Sequence, residues 1–327
     1  MNIRTSVSHV ALSLCVMVTF SIRTANATVA TQASFAPPDG RVLLFIGQDR
    51  DSINEYVRAT GTVPAGFMVY TSIQDLHGLT QPVEYGAGVI HAEALMKRYP
   101  QTVLQIGLWM VGAVYDIPQG RYDAQIDRLA TWLINAHRPI YLRVGYEFDL
   151  PENQYQPTAY VRSYRYLVNR LRQRNVRNVA YVWHSFAADN STPLTAWYPG
   201  DDYVDWCAVT LFNQGWGDLD PMATFARDHH KPLMIAEATP RGIGTTNERA
   251  WKKWFDDCAS FIVSANVKAF CYINADWETL QMFRGQGWGD SRVQVNQAVR
   301  QDWLMTIGTA RYLHASGELY REVGYSS

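Results

Sequence analysis

Two glutamates stand where apolar, strand-like runs end: Glu147 in RPIYLRVGYEFD and Glu237 in KPLMIAEATP. Each run opens near a proline, continues through β-branched and aliphatic residues, and finishes in a carboxylate. A carboxylate is costly inside an apolar strand and natural at its C-terminal tip, where a cleft opens. One such residue alone reads most simply as a strand-end partner in a surface ion pair. Two of them, far apart in sequence, are the minimum set for cleaving a glycosidic bond.

The elements that must position them follow from the hydrophobic pattern. Eight short apolar runs, at 41–47, 65–72, 102–110, 139–147, 178–185, 203–212, 231–238 and 267–274, alternate with amphipathic stretches. Continuous hydrophobicity suits strands covered on both faces, and strand–helix alternation is the signature of a parallel sheet. Between the fourth and fifth runs, Tyr160, Val161, Tyr164, Leu167, Val168 and Leu171 recur at helical spacing. Between the seventh and eighth, Trp251, Trp254, Phe255, Cys258, Phe261 and Ile262 do the same. Eight such units without a linker predict an α/β fold, a single (β/α)8 TIM barrel over residues 41–327. The alternative, an open doubly wound sheet, lacks a Gly-rich phosphate loop after its first strand.

A barrel of this kind collects its functional groups at the C-terminal ends of its strands. By period two, Arg143, Gly145 and Glu147 share one face, as do Leu233, Ile235 and Glu237, so each inward face should end in a glutamate. The other tips offer Gln48 and Asp49, Trp109, His184, Phe212 with Asn213, and Asn274 with Asp276 and Trp277. Trp277 is expected to stack under a sugar ring. Trp216 and Trp288, in matching GWGD loops, are candidates for the cleft wall or simply turn residues. The WHS sequence at 183–185 lacks the spacing and strained elbow of a serine hydrolase.

Composition narrows the context. The formal net charge is −1 over 327 residues, with both signs mixed along the chain, which argues against a nucleic-acid partner. Arg4, the apolar run 9–22 and the small-x-small site Ala25-Asn26-Ala27 read as a signal peptide over 1–27. The run is too short and too Ser/Thr-interrupted to span a membrane, so a secreted or periplasmic protein is expected. Residues 28–40 form a small, polar, proline-containing lead-in. Cys207, Cys258 and Cys271 follow it, an odd number allowing at most one internal bridge, with Cys258–Cys271 the candidate pair. No metal-ligand spacing is present, the pair His229-His230 reads as a solvated turn, and no cofactor is called for.

Local patterns then carry a resemblance. The chain is similar to clan A glycoside hydrolases, and most similar to family 26, whose members include β-mannanases. LRVGYE keeps that family's arginine four residues before its acid/base glutamate, mapping onto Arg143 and Glu147. YPGDDYVDW, residues 198–206, resembles the stretch leading into the sixth strand. The resemblance implies an eight-fold barrel with Glu147 as acid/base after strand four and Glu237 as nucleophile after strand seven. It also implies a retaining, endo-acting double displacement on a β-linked polysaccharide or oligosaccharide by a monomer. Two positions depart: Tyr146 stands where the family usually has histidine, and Phe212 where a tyrosine commonly bonds the nucleophile. Because these residues touch the reacting sugar, mannan specificity does not carry over. The departures leave open a non-catalytic polysaccharide-binding barrel, and a polysaccharide lyase is the other alternative.

Overall fold

The computed structural model describes residues 35–187, 192–212 and 214–326. The signal peptide expected over 1–27 and the first part of the lead-in lie outside the described residues, as does Asn213. Eight parallel strands close into a barrel: β1 Val42–Gly47, β2 Gly66–Ser72, β3 Val103–Trp109, β4 Ile140–Val144, β5 Val179–Ser185, β6 Trp206–Leu211, β7 Leu233–Ala238 and β8 Val267–Ile273. Each pairs with its sequence neighbour, and β8 pairs with β1 from Leu43↔Ala269 to Gly47↔Ile273, which leaves the barrel no free edge. Helices α1 Arg50–Thr60, α2 Ala92–Arg98, α3 Asp123–Asn135, α4 Pro157–Gln173, α6 Trp216–Asp228, α7 Glu248–Ser264 and α8 Gln297–Ile307 surround it. The fifth unit departs from the pattern, because its only helix among the described residues, α5, is the single turn Leu194–Trp197. No helix among the described residues is long and apolar enough to cross a membrane.

Alternation along the strands divides the apolar side chains into two layers. Leu43, Phe45, Met68, Val103, Tyr141, Val182, Trp206, Met234, Ala269 and Cys271 fill the barrel. Val42, Leu44, Val69, Ile106, Leu142, Val209, Ile235 and Tyr272 face the helices, whose apolar stripes meet them there. All six stripe residues expected on α7 are buried. The barrel floor is sealed by the lead-in and the C-terminal segment: Phe35 and Tyr325 pack edge-to-face 5.8 Å apart, and the Tyr141 hydroxyl donates to the Phe35 carbonyl at 2.6 Å. The same alternation separates the thiols expected to be neighbours. Cys271 points into the barrel and Cys258 into the helix layer, so all three described cysteines are free and buried.

Neither glutamate reaches the mouth by simple alternation, as the sequence pattern had suggested. On β7, Leu233 and Ile235 face the helices, and strict period two would send Glu237 after them. The strand instead carries an extra residue. Val209 pairs with Ile235 while the next residue, Thr210, pairs with Glu237. On the other edge Phe270 pairs with Ile235 and Tyr272 with Ala238. Such a bulge re-aims a side chain at a cost in ladder hydrogen bonds. Its Ala236 carbonyl is recovered by Gln105, buried inside β3, whose amide donates to it at 2.8 Å. On β4 the strand stops at Val144, because Gly145 (φ +56°) and Glu147 (φ +52°) both take left-handed backbone. A Cβ at Gly145 would lie 3.0 Å from the Tyr160 ring, so glycine is needed there twice over.

Replacing Gln105 by leucine removes the amide and leaves the buried Ala236 carbonyl unsatisfied. We expect a loss of about 1–3 kcal/mol in unfolding free energy, measured by urea denaturation at unchanged m-value. A variant as stable as the parent would show that the bulge needs no partner.

Candidate active site

The two carboxylates meet at the C-terminal end of the barrel around a buried arginine. Arg143, inside β4, is fully shielded from water, and its Nη1 donates to Glu237 Oε1 in a salt bridge. Space for the guanidinium comes from Gly107, opposite it on β3, where a Cβ would lie 2.8 Å from Arg143 Nη2. The rings of Tyr70 and Tyr146 flank the cation, their centroids 5.2 and 5.1 Å from its central carbon. This arrangement suits a guanidinium whose Nε and Nη2 have no hydrogen-bond acceptor among the described residues. Burial works most strongly against the charge of Arg143, but the Glu237 carboxylate, together with Tyr70 and Tyr146, raises its pKa on balance.

Glu147 is held differently. The loop that presents it is pinned by Asn153, whose amide donates to the carbonyls of Tyr146 (3.2 Å) and Glu147 (2.8 Å). The Phe148 amide also donates to the His184 carbonyl at 3.1 Å. Asp149, next along, accepts from Ser185 Oγ and the Phe186 amide, both at 2.6 Å, which ties the β4 loop to the end of β5. Among the described residues the Glu147 side chain receives one neutral donor, the Thr210 hydroxyl, at 2.6 Å. Burial, then the nearby Glu237 charge, push its pKa up to about 8, against the opposing pull of Thr210 and Arg143. One carboxyl is thus paired with a cation while the other favours its protonated form, the arrangement that lets two like groups serve as nucleophile and acid.

His184, buried on β5, bridges the two halves. It lies 3.3 Å from Arg143 Nη1 through Nδ1 and 3.0 Å from Thr210 Oγ1 through Nε2. Burial and then Arg143 hold its pKa well below the ordinary imidazole value, so the ring is neutral. Tyr146 stacks toward His184 (centroids 6.5 Å) and, at 6.0 Å, toward Trp109. Trp109, 39% exposed, leaves part of its indole open to solvent next to Tyr146.

The other expected site residues divide. Phe212, 8% exposed, joins an aromatic wall with Trp288 (5.2 Å) and Trp277 (6.5 Å). Trp277 is 1% exposed, wedged against Phe283 and Trp288, and its indole N–H serves Thr239 and Ser291. It therefore supports the wall and presents no face to a sugar. Trp216 is not with the group: it opens α6 and packs on Phe261 of α7 in the helix layer. Asn274 is structural, donating to Gln294 and accepting from the Val293 amide. Gln48 accepts from the Tyr70 hydroxyl at 3.3 Å, and Asp49 caps α1. The sequence reading missed Thr210, Tyr70 and Gln105. Each is a polar residue inside a buried apolar strand, which by itself demands a partner.

The raised pKa of Glu147 has a consequence for stability. Between the unfolded glutamate pKa of about 4.3 and about 8, the native state holds a proton that the unfolded chain has lost. Stability attributable to this group therefore falls as pH rises through that window. Glu147→Gln, which cannot ionise, should gain in Tm over the parent as pH goes from 5 to 8, measured by scanning calorimetry. A pH-independent difference would mean that Glu147 titrates normally.

Comparison with known proteins bears on this geometry. The sequence profile of glycosyl hydrolase family 26 matches residues 124–256, a span that holds Arg143, Glu147, His184, Thr210 and Glu237. A β-1,3-xylanase from Vibrio sp. is 35% identical over 89% of this chain and 70% of its own length. One from Alcaligenes sp. is 33% identical over 90% and 69%. Among solved structures, a family 26 β-mannanase from Bacteroides ovatus shares the fold with a TM-score of 0.65, covering 88% of this chain and 95% of that one at 16% identity. An endo-β-1,4-mannanase of the same family from Bacillus sp. JAMB-750 gives 0.62, covering 86% and 90% at 17% identity.

Proposed function

This chain belongs to glycosyl hydrolase family 26 and is a glycoside hydrolase of β-linked polysaccharide; on that premise we propose that it is an exported, retaining endo-β-1,3-xylanase in which Glu147 is the acid/base and Glu237 the nucleophile. The observation that carries the assignment of roles is the unequal environment of the two carboxyls. Glu237 is bonded to a buried guanidinium, and Glu147 receives a single hydroxyl and favours its proton. The proposed substrate rests on the two β-1,3-xylanases that align along most of this chain. Likeness to the mannanases extends to the fold, and Tyr146 and Phe212 are the positions at which a mannan-cleaving site would be expected to differ. Export rests on the signal-peptide pattern of residues 1–27, and a monomer with no cofactor suffices for the chemistry.

In the first step Glu147 gives its proton to the glycosidic oxygen as a Glu237 oxygen attacks the anomeric carbon. The leaving chain takes that proton, and a glycosyl ester forms on Glu237. Esterification removes the Glu237 charge, which after burial is the largest of the causes that raise the Glu147 pKa. Glu147 is then a stronger acid, present as the carboxylate, and can take a proton from the water that opens the ester. Arg143, left beside a neutral ester, favours return of the carboxylate as the sugar departs. Trp109 is the platform for a pyranose ring next to the cleavage point, with Tyr146 and His184 beneath it.

Hydrolysis of β-1,3-xylan, β-1,4-xylan and mannan, followed by NMR of the first-formed anomer, tests this reading. We expect β-1,3-xylooligosaccharides of retained β configuration, with an alkaline limb in kcat/KM near pH 8. Glu237→Ala should lose activity by several orders of magnitude. Glu147→Ala should still form the intermediate from an activated aryl glycoside and be rescued by azide, giving a retained glycosyl azide. An α product from the parent enzyme would rule out double displacement. An inverted azide from Glu147→Ala would reverse the roles.

A further inference from the structure

The contacts between Arg143 and Glu147 run through two groups that can each donate or accept, and their direction is fixed at one end. A guanidinium has no acceptor, so the Arg143–His184 contact requires the lone pair of His184 Nδ1. The imidazole is neutral, so its one hydrogen is on Nε2, which faces Thr210 Oγ1. That hydrogen occupies a lone pair of the hydroxyl and turns the Thr210 hydrogen away from the histidine. The remaining neighbour is Glu147 Oε1, 2.6 Å away. With the opposite sense, Nδ1–H would point at an arginine N–H, which no rotation relieves.

We propose that Thr210 is a positioning residue of the acid/base: as the last donor in a one-directional chain from Arg143 through His184, it fixes Glu147 Oε1 as an acceptor and confines the acid's proton to Oε2. The proposal rests on the acid/base role given to Glu147 above. A hydroxyl already donating to Oε1 cannot face a proton on that oxygen, so the protonated carboxyl carries its hydrogen on the oxygen left free. The same anchor stops the carboxyl from rotating between its two oxygens, so proton and substrate stay on one side. Thr210 is suited to the task because β6 places it in register with Glu237 at the bulge, between the two carboxylates, with its backbone buried. The charged groups bearing on Glu147 are Glu237 from β7, Arg143 from β4 and Asp149 from its own loop. Tyr70 from β2 and Tyr146 keep their protons, because burial and then Glu237 raise both.

Thr210→Val keeps the shape and deletes the donor, while Thr210→Ser keeps the donor. Removing a hydrogen bond to the carboxylate disfavours its ionised form. The alkaline limb of kcat/KM should therefore move up by about one pH unit in the valine variant and stay in place in the serine variant. With Oε2 no longer defined, kcat on unactivated xylan should fall about 10–100-fold, and turnover of an aryl glycoside whose leaving group needs no proton should fall much less. Titration of Glu147 by carbon-13 NMR of its carboxyl, on either variant shown folded by circular dichroism, reads the same shift without activity. An unmoved titration in Thr210→Val overturns the inference. A moved titration with an unmoved kinetic limb keeps the hydrogen bond from Thr210 to Glu147 but removes Glu147 from its proposed role as the acid, and with it the positioning role of Thr210. If valine unfolds the barrel, Thr210→Ala carries the same comparison.

Discussion

A guanidinium without access to water governs the mouth of this barrel. Moving a cation into the interior costs several kcal/mol even after relaxation, and the cost is offset only when a counter-charge and good geometry come with it. Glu237 supplies the counter-charge and the rings of Tyr70 and Tyr146 the remaining contact. The neighbours of Arg143 then have little freedom. Glu237 is the carboxylate, His184 stays neutral with its hydrogen on Nε2, and Glu147, facing a carboxylate it cannot easily join in charge, favours its proton. A pair of chemically identical side chains meets two different environments because one cation stands closer to one of them, and the proposed division of roles rests on that difference.

The backbone departs from regularity where it delivers these groups. A bulge in β7 carries Glu237 across to the inner face, and left-handed residues 145 and 147 turn the chain off β4 so that Glu147 comes back over the mouth. Such features cost stability and persist when the surroundings over-determine them. Here Gln105 answers the bulged carbonyl, Asn153 holds the two carbonyls of the turn, and Asp149 ties the turn to the next strand. The regular barrel supplies the direction in which strand ends point, and local irregularity supplies the last few ångströms.

The sequence displayed the regular part well and the irregular part poorly. All eight strands were visible because each is buried on both faces and therefore apolar throughout, and the α7 stripe was visible because a helix against a barrel has one wet side. Both glutamates could be placed at the mouth, but by an alternation that stops at Val144 and slips at Ala236. A bulge is a matter of hydrogen-bond register, which has no residue-type signature. Trp277 was expected to stack under a sugar and Trp216 was a candidate for the cleft wall or a turn residue, yet one is wedged against Phe283 and Trp288 and the other lies in the helix layer. Position after a strand tip does not reveal whether the following loop folds back over its own aromatic residues. Thr210 and Gln105 lay hidden inside apolar runs, where a polar side chain is easily taken as filler when its partner comes from another strand.

If Arg143 sorts the protons of this site, locating those protons shows it directly. In a joint X-ray and neutron structure of the perdeuterated protein at about pD 6, below the Glu147 pKa of about 8, deuterium should appear on His184 Nε2, on Thr210 Oγ1 directed at Glu147, and on Glu147 Oε2. The Glu237 carboxyl should carry none. Deuterium on Glu237, or on His184 Nδ1, would mean that Arg143 does not set these protonation states.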